Sequence, residues 1–216
     1  APVEIAEDLA ATGSGIQINT DGPADGAVSF AGTLDRFNEG AFTGAYFLDV
    51  AAGSASVGVT GALGAADAPA ALSIATSGPV SLDSTAVLGA GGLTVTGGAV
   101  GLGGAATTTG VVDVTNTGVL TVATGADISA DGGFVQAGGG SVNLAADVTT
   151  SATDISMGGA LVLAEGAAPI LATGLGGGTV TLGSTVDGTA GGADEQLTIS
   201  AGVGDVVFSG SVGTAE

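Results

Sequence analysis

Short triplets in which two aliphatic residues flank a polar or small residue recur along the whole chain, and Gly or Asp closes most of them. Alternation with a period of two between turn residues is typical of short strands with one buried face. No helical period competes with it, and interior glycine disfavours helix by about 1 kcal/mol. The pattern predicts an all-β chain, with triplets that begin at Val28, Val57, Leu72, Val80, Leu93, Val112, Leu120, Val142, Leu161, Val180 and Leu197.

The chain also resembles itself. Residues 46–67 align without gaps with residues 195–216, residues 27–35 align with residues 179–187, and a third, partial copy begins at Val80. Matching strands joined by linkers of variable length are typical of a solenoid, in which every coil supplies aliphatic residues to a common core. The spacing of the triplets predicts coils of about 20 residues, hence roughly ten rungs stacked into a rod about 50 Å long.

We therefore expect a single repetitive β-solenoid segment over residues 1–216, built as a parallel β-helix, with a loop insertion near residues 36–47. A β-sandwich also consists of short alternating strands, so a β-sandwich filament subunit is the alternative fold. Parallel pairing in register would favour the solenoid, and antiparallel hairpins the sandwich. The copy that stops at Glu216 indicates an array cut within a repeat.

Composition narrows the classes of function. The 216 residues include 43 Gly and 21 acidic residues, against the single base Arg36, with no His and no Cys, for a net charge of −20. The chain therefore has no imidazole base, thiol nucleophile, thiolate metal site or Schiff-base amine. Its charge repels nucleic acid and anionic membrane surfaces, and it has no run of about 20 bulky apolar residues. We expect no enzyme, no nucleic-acid partner and no membrane insertion.

The segment 179–213 resembles the degenerate repeats of secreted bacterial surface proteins of the filamentous haemagglutinin and autotransporter-adhesin type. The likeness covers residues 27–67 and 179–216 well, and residues 80–102 in part. It implies a right-handed parallel β-helix, an extracellular or cell-surface location, and a structural or adhesive role as stalk, adhesin or fibre component. It implies no catalytic residue and no cofactor. The partners expected are the chain itself or neighbouring repeats end to end, and host or surface glycans.

Residues 36–47 stand apart because they hold the only base and four of the seven aromatic residues. Arginine and aromatic side chains are frequent anchors of protein interfaces, which makes this stretch a candidate partner contact. The alternative is a loop packed on the flank of the rod, since loops often do no more than pack. The candidate contact residues are Arg36, Phe37, Phe42, Tyr46 and Phe47.

The acidic residues raise two further hypotheses. Calcium binds clustered carboxylates, but the chain contains neither a calcium-binding nonapeptide nor an EF-hand loop, so solvated surface acids are the simpler interpretation. Glycoside hydrolysis requires two carboxylates about 5–9.5 Å apart, which the pairs Asp127/Asp131 and Asp194/Glu195 would have to supply. Sugar sites also use Trp or Tyr platforms, and the chain has no Trp and one Tyr. We therefore expect no metal and no catalytic pair.

Two alternative functions belong to other classes. One is a self-assembling filament or surface-layer subunit joined by strand exchange. The other is an ice- or carbohydrate-binding module, which the Thr-x-Thr steps at residues 94–96, 115–117 and 179–181 suggest. Threonine is also a common residue on exposed strands, so only a regular array on one flat face would favour binding.

Overall fold

The computed structural model describes residues 15–22, 25–35, 47–189 and 194–213. Regular structure in these ranges is entirely β, and none of it is a helix that could cross a membrane. The strands are short because Gly, Asp or Ser interrupts each alternating triplet. In chain order they are β1 Ile16–Asn19, β2 Val28–Phe30, β3 Phe47–Ala51, β4 Val57–Val59, β5 Ala71–Ala75, β6 Val80–Leu82, β7 Ala86–Leu88, β8 Gly92–Gly97, β9 Val100–Leu102, β10 Ala106–Thr108, β11 Val112–Asn116, β12 Leu120–Val122, β13 Ile128–Ala130, β14 Phe134–Ala137, β15 Val142–Leu144, β16 Val148–Thr150, β17 Ile155–Met157, β18 Leu161–Leu163, β19 Ile170–Ala172, β20 Val180–Leu182, β21 Val186–Asp187, β22 Thr198–Ser200 and β23 Val206–Phe208.

Three parallel sheets form the sides of a β-helix. Sheet 1 has the order β1-β3-β5-β8-β11-β14-β17-β20-β23, sheet 2 the order β2-β4-β6-β9-β12-β15-β18-β21, and sheet 3 the order β7-β10-β13-β16-β19-β22. Every strand pairs with the strand one coil away, and all of these pairs are parallel. The predicted β-solenoid is therefore confirmed. The antiparallel pairing that a sandwich requires does not occur among the described strands.

The coils stack as levels, which we number from level 1, beginning at β1, to level 9, beginning at β23. The described residues therefore contain nine levels joined by eight turns, against the roughly ten rungs expected from the sequence. Most coils use three strands, and a coil contains up to 32 residues, as between Ile16 and Leu48, because corner loops lengthen it. Eight spacings of about 4.8 Å give the described part a length of about 38 Å.

The core consists of columns of inward side chains that continue from level to level. The first column of sheet 1 is mostly aliphatic but includes Phe134, which is fully buried. The interior therefore accepts a ring, although the aliphatic triplets alone predict a narrower core. The second column contains Val114, Gln136 and Met157 at successive levels, so a polar amide lies in an otherwise apolar stack.

Buried amides close the corner between sheets 1 and 2. Gln136 Nε2 donates to Asn116 Oδ1 at 2.7 Å, and Gln136 Oε1 accepts from the Gly159 amide at 2.9 Å. Asn116 Nδ2 donates to the Gly118 carbonyl at 2.6 Å. A Cβ at Gly140 would lie 1.7 Å from the Gly118 oxygen, so only glycine fits this close approach. The network thus satisfies polar groups where the backbone bends inside the rod.

Sheet 3 has a different interior from the other two sheets. Its second inward column contains the buried residues Thr108, Thr150 and Thr173, whose hydroxyls donate to corner carbonyls. The Thr108 hydroxyl also accepts from the Gly110 amide at 2.9 Å. Hydroxyls replace methyl groups here because the backbone of the tight corner would otherwise lack hydrogen-bond partners.

The sequence copies do not occupy equivalent places in the coil. Leu48 lies in β3 of sheet 1, but the matched residue Leu197 directly precedes β22 of sheet 3. Val57 lies in sheet 2, whereas its match Val206 lies in sheet 1. The alignment is therefore one side out of phase. What repeats in the sequence is a unit of strand, corner and strand that any two neighbouring sides can use.

Candidate functional site

Of the candidate partner contacts, only Phe47 lies within the described residues. Arg36, Phe37, Phe42 and Tyr46 fall outside them. Phe47 begins β3 and is 42% exposed. A Cβ placed on Gly91 would lie 3.3 Å from Phe47 Cε1, so the ring reaches across the flank towards a glycine two coils away. The Phe47 side chain thus packs partly on the rod and partly faces solvent.

Exposed large hydrophobic side chains concentrate at the C-terminal end. Three lie elsewhere, at Phe47, Val87 and Val119, whereas the others lie in the last levels. The residues of this second group are Ile170, Leu175, Val203, Val206, Val207, Phe208 and Val212. Soluble chains seldom group apolar residues in this way unless the patch contacts something. We call the group formed by Val203, Val206–Phe208 and Val212 the end surface.

The end surface exposes what would be core at any other level. Val206 pairs with Val180 and Phe208 with Leu182, so both residues continue the inward columns of sheet 1. Val180 and Leu182 are buried, but Val206 is 43% and Phe208 45% exposed. Both levels carry apolar residues in these columns, so the difference comes from the absence of a covering coil among the described residues.

A cavity of about 440 Å³ opens beside the end surface. Level 9 has β23 in sheet 1 and Val212 bridged to Val186 in sheet 2, but no described segment in sheet 3. The cavity lies at this missing side. Its walls are mainly apolar core residues together with a polar rim: Leu163, Val186, Leu197, Ile199, Phe208 and Val212, with Asp187, Gly188, Thr189, Glu195 and Gly213.

Aspartate carboxylates link successive coils along the outside of the rod. Asp154 Oδ1 accepts from the Thr179 amide at 2.7 Å, and Asp147 Oδ1 accepts from the Ile170 amide at 2.8 Å. Asp127 Oδ1 accepts from the Asp147 amide at 3.1 Å. In each case the acceptor belongs to the earlier coil and the donor to the next one. Many of the acids that sequence analysis assigned to solvated corners therefore form directional bonds between coils.

Two carboxyl groups have lowered pKa values, each because of hydrogen-bond donors. The Ser54 hydroxyl and amide, followed by the Gly22 amide, hold the pKa of Asp25 below its ordinary value. The Thr189 hydroxyl, which bonds to Glu195 Oε1, lowers the pKa of Glu195. Donors favour the charged form of each group, so both carboxylates are ionised at neutral pH.

The other candidates do not converge on one site. The described residues contain no cluster of three acidic, His or Cys side chains that would hold a metal ion. Asp127 and Asp131 bond to different groups of the next coil, the Asp147 amide and the Ser151 hydroxyl. Thr94 faces outward in sheet 1, but its neighbour one coil on is Asp113 and not another threonine.

Comparison with known proteins leaves the architecture as the main guide to function. No family model, no curated protein and no solved structure matches the chain. The likeness to haemagglutinin and autotransporter-adhesin repeats therefore stays a prediction. Sequence reasoning missed the end surface because it treated every aliphatic triplet as buried, and only the position of β23 in the stack identifies an exposed one.

Proposed function

We propose that this chain is a structural and adhesive segment of an extracellular bacterial surface protein, where it serves as a stalk, adhesin or fibre component. The observation that supports this role is the unbroken core of sheet 1, which runs from Ile18 at level 1 to Leu182 at level 8 with buried side chains throughout. Parallel backbone ladders on three sides add stiffness. A rod of this kind holds its two ends at a fixed separation, with no chemical step.

Charge supports the same role. The 21 acids, against one base, give a net charge of −20. No acidic residue of the described part is buried, so its carboxylates lie on the outside, where they repel other rods laterally and discourage edge-to-edge association of β surfaces. Corner loops remain free to contact other molecules, host or surface glycans among them.

Distance measurements between spin labels test the spacer role. Gln17 and Thr181 lie in one outward row of sheet 1, at levels 1 and 8. Labelled as Gln17→Cys and Thr181→Cys, they should give a narrow distribution near about 34 Å, from seven spacings of about 4.8 Å. Deletion of residues 93–111, one complete coil, joins matched positions and should shorten that distance by about 4.8 Å.

A second labelled pair controls for general distortion. Asp113 and Val207 lie beyond the deleted coil, so the distance between Asp113→Cys and Val207→Cys should not change. A broad distribution in the parent chain, or loss of the strand signal in circular dichroism on deletion, would contradict the spacer role. Saturable binding of glycan-coated beads to the same protein distinguishes the adhesive branch of the proposal from the stalk branch.

A further inference from the structure

We propose that the outer side of sheet 2 is an interface between two copies of this chain, which pack face to face with their rod axes antiparallel. The contact surface, which we call the neutral face, consists of the outward residues of β9, β12, β15 and β18 together with the residues that directly precede and follow these strands. This inference deepens the structural role proposed above and rests on it only in treating the rod as an architectural element.

The neutral face has no charged residue, although the chain has a net charge of −20. Its outward residues are Ala, Gly, Ser, Thr, Asn and Val, and they include Val119, whose side chain is 44% exposed. Sheet 1, by contrast, presents Asp49 and Asp113 outward, and Asp127 and Asp147 directly precede strands of sheet 3. Repulsion between acids opposes contact through those two sides. Charge therefore selects sheet 2 as the side on which two of these rods can approach.

Large and small residues in the middle row of the neutral face complement one another under an antiparallel two-fold axis. Such an axis between levels 5 and 6 places level 4 opposite level 7 and level 5 opposite level 6. Val162 of one copy then faces Gly101 of the other, and Thr121 faces Asn143. A branched side chain thus meets a position without a side chain, and each pair occurs twice, as an isologous interface requires.

The coil itself does not require glycine at position 101. A Cβ on Gly101 would meet only the Val80 carbonyl oxygen, at 3.8 Å, which is ordinary contact, and the φ of Gly101 is not positive. Glycine within a strand weakens it and often marks a site where another molecule approaches closely. The depression that Gly101 leaves for Val162 of the second copy therefore gives this glycine a reason.

A buried polar atom of the neutral face has no partner within the rod. Asn143 Oδ1 is buried, and no described residue donates a hydrogen bond to it. An unsatisfied buried acceptor is costly and rare in folded proteins. In the antiparallel arrangement the Thr121 hydroxyl of the second copy faces Asn143, and rotation of the amide turns Oδ1 towards that donor. The interface thus supplies the hydrogen bond that the single rod lacks.

A parallel arrangement of the two rods fits these residues less well. A two-fold axis along the rod would place each level opposite itself, so Val162 would meet Val162 and Gly101 would meet Gly101. It would also bring the Asp187 side chains of both copies together in the middle row at level 8, where like charges repel. In the antiparallel arrangement Asp187 instead faces Ser81 of the second copy. Steric fit and charge therefore both favour antiparallel rods.

The contact is modest in area. Levels 3 to 8 of the two copies overlap, and about five residues per strand give each copy a contact of about 16 Å by 29 Å, or roughly 450 Å². Stable complexes bury about 800 Å² per partner, so we expect a weak, reversible dimer at protein concentrations of about 0.1 mM and above. Salt at about 0.15 M shortens the Debye length to about 8 Å and limits the repulsion between acids on the other sides.

Substitution of two glycines tests the steric fit in sedimentation experiments at that salt concentration. Gly101→Val places a branched side chain opposite Val162 of the second copy and should weaken dimerisation by about tenfold or more. Gly58→Val is the matched control, because Gly58 lies in the same row at level 2, a Cβ there meets nothing within 4 Å, and the residue opposite is Gly213. This control should change dimerisation by less than about twofold.

A double variant tests whether the two positions act together. Gly101→Val/Val162→Gly exchanges the branched side chain and the depression, so it should recover most of the affinity that Gly101→Val loses. Recovery would show that the two residues meet across the interface, since they lie three levels apart within one rod. Circular dichroism confirms that each variant keeps the strand signal.

Spin labels at single sites test the orientation. Gln17 and Thr181 share one outward row of sheet 1, at levels 1 and 8. In the antiparallel dimer, the two copies of position 17 lie nine spacings apart along the rod, about 43 Å, and the two copies of position 181 lie five spacings apart, about 24 Å. The distance between two Gln17→Cys chains should therefore exceed the distance between two Thr181→Cys chains. Parallel rods would give equal distances.

Three outcomes would overturn the inference. The first is a chain that stays monomeric up to about 1 mM. The second is an equal effect of Gly101→Val and Gly58→Val on dimerisation, and the third is equal distances for the two singly labelled chains. Each of them leaves the spacer role standing if the distance between positions 17 and 181 within one labelled chain, diluted in unlabelled chain, is unchanged. Failure of that intramolecular distance would instead contradict the proposed function.

Discussion

The buried amide of Gln136 allows the sharpest stability prediction. It lies between Val114 and Met157 in a column of sheet 1, where an apolar side chain of similar length would fit. We consider Gln136→Met, which preserves the length of the side chain and removes only its hydrogen bonds. The variant leaves the Gly159 amide and Asn116 Oδ1 without the partners that Gln136 provides.

Two opposing effects set the magnitude. Each orphaned buried group costs about 1–3 kcal/mol, so the pair costs about 2–6 kcal/mol. Burial of the thioether in place of the amide returns about 1–2 kcal/mol. The mid-range values of these two effects give a net loss of about 2.5 kcal/mol, which corresponds to about 5–10 °C in Tm for a chain of this size.

Urea unfolding followed by circular dichroism measures the total loss, and amide hydrogen exchange locates it. Because each coil contacts only its neighbours, exchange should accelerate at Gly159 and Gly140 and much less in β3 to β6. The control Met157→Leu lies one level away in the same column and should cost less than about 1.5 kcal/mol. A Gln136→Met protein as stable as the native chain would refute the reasoning, since the orphaned groups would then carry no penalty.

Two further predictions concern other parts of the rod. Ser54→Ala should raise the pKa of Asp25 towards its ordinary value, which NMR titration measures. Because folding lowers the pKa of Asp25, the hydrogen bond from the Ser54 hydroxyl stabilises the fold at pH values above the pKa of the unfolded state. This stabilisation is lost as the pH falls through the pKa of the folded state. Gly140→Ala should lower the free energy of unfolding in urea by about 3 kcal/mol, because a Cβ there would meet backbone atoms. Gly139→Ala should be tolerated, because a Cβ there meets nothing within 4 Å.

Each of these predictions has a contradicting result. An unchanged Asp25 titration in Ser54→Ala would mean that the backbone donors alone set its pKa. Equal unfolding midpoints for the two alanine variants would show that the corner at Gly140 opens without cost.

The sequence was sufficient to predict the fold where aliphatic residues alternate strictly. The triplets that begin at Val57, Val80 and Leu120 are strands of sheet 2 with both aliphatic residues buried. Most of sheet 3 escaped notice. Among its strands only β22 overlaps a predicted triplet, the one that begins at Leu197, whereas β10 and β16 contain Thr at inward positions. Those hydroxyls are buried only because they bond to corner carbonyls, which is a tertiary effect that alternation of hydrophobic residues does not encode.

Comparison of the repeats also could not show which of the three sheets each repeated strand joins. A match between residues 46–67 and residues 195–216 reports similar strand and corner units, but all three sides of the rod use such units. The sheet that a strand joins depends on how many residues the preceding corner loops contain, and this number varies from coil to coil. The long steps from Ile16 to Leu48 and from Val180 to Val206 show how much the corners differ.

The candidate site was predicted only in part. The sequence placed the specific contacts at residues 36–47, of which the structure describes only Phe47, and it did not single out the end surface. The end surface has the same residue types as the core, so no composition signal separates Val206 from Val180. Only the three-dimensional order of the strands distinguishes them.

The one-way carboxylate bonds bear on how the chain folds. Each coil contacts a coil about 22 residues away, so the relative contact order is about 0.1, near that of helical bundles and below that of most β proteins. A coil already in place offers the following one both an apolar template and a carboxylate such as Asp147 or Asp154. The chain can therefore fold by accretion, one coil at a time from the N-terminal side.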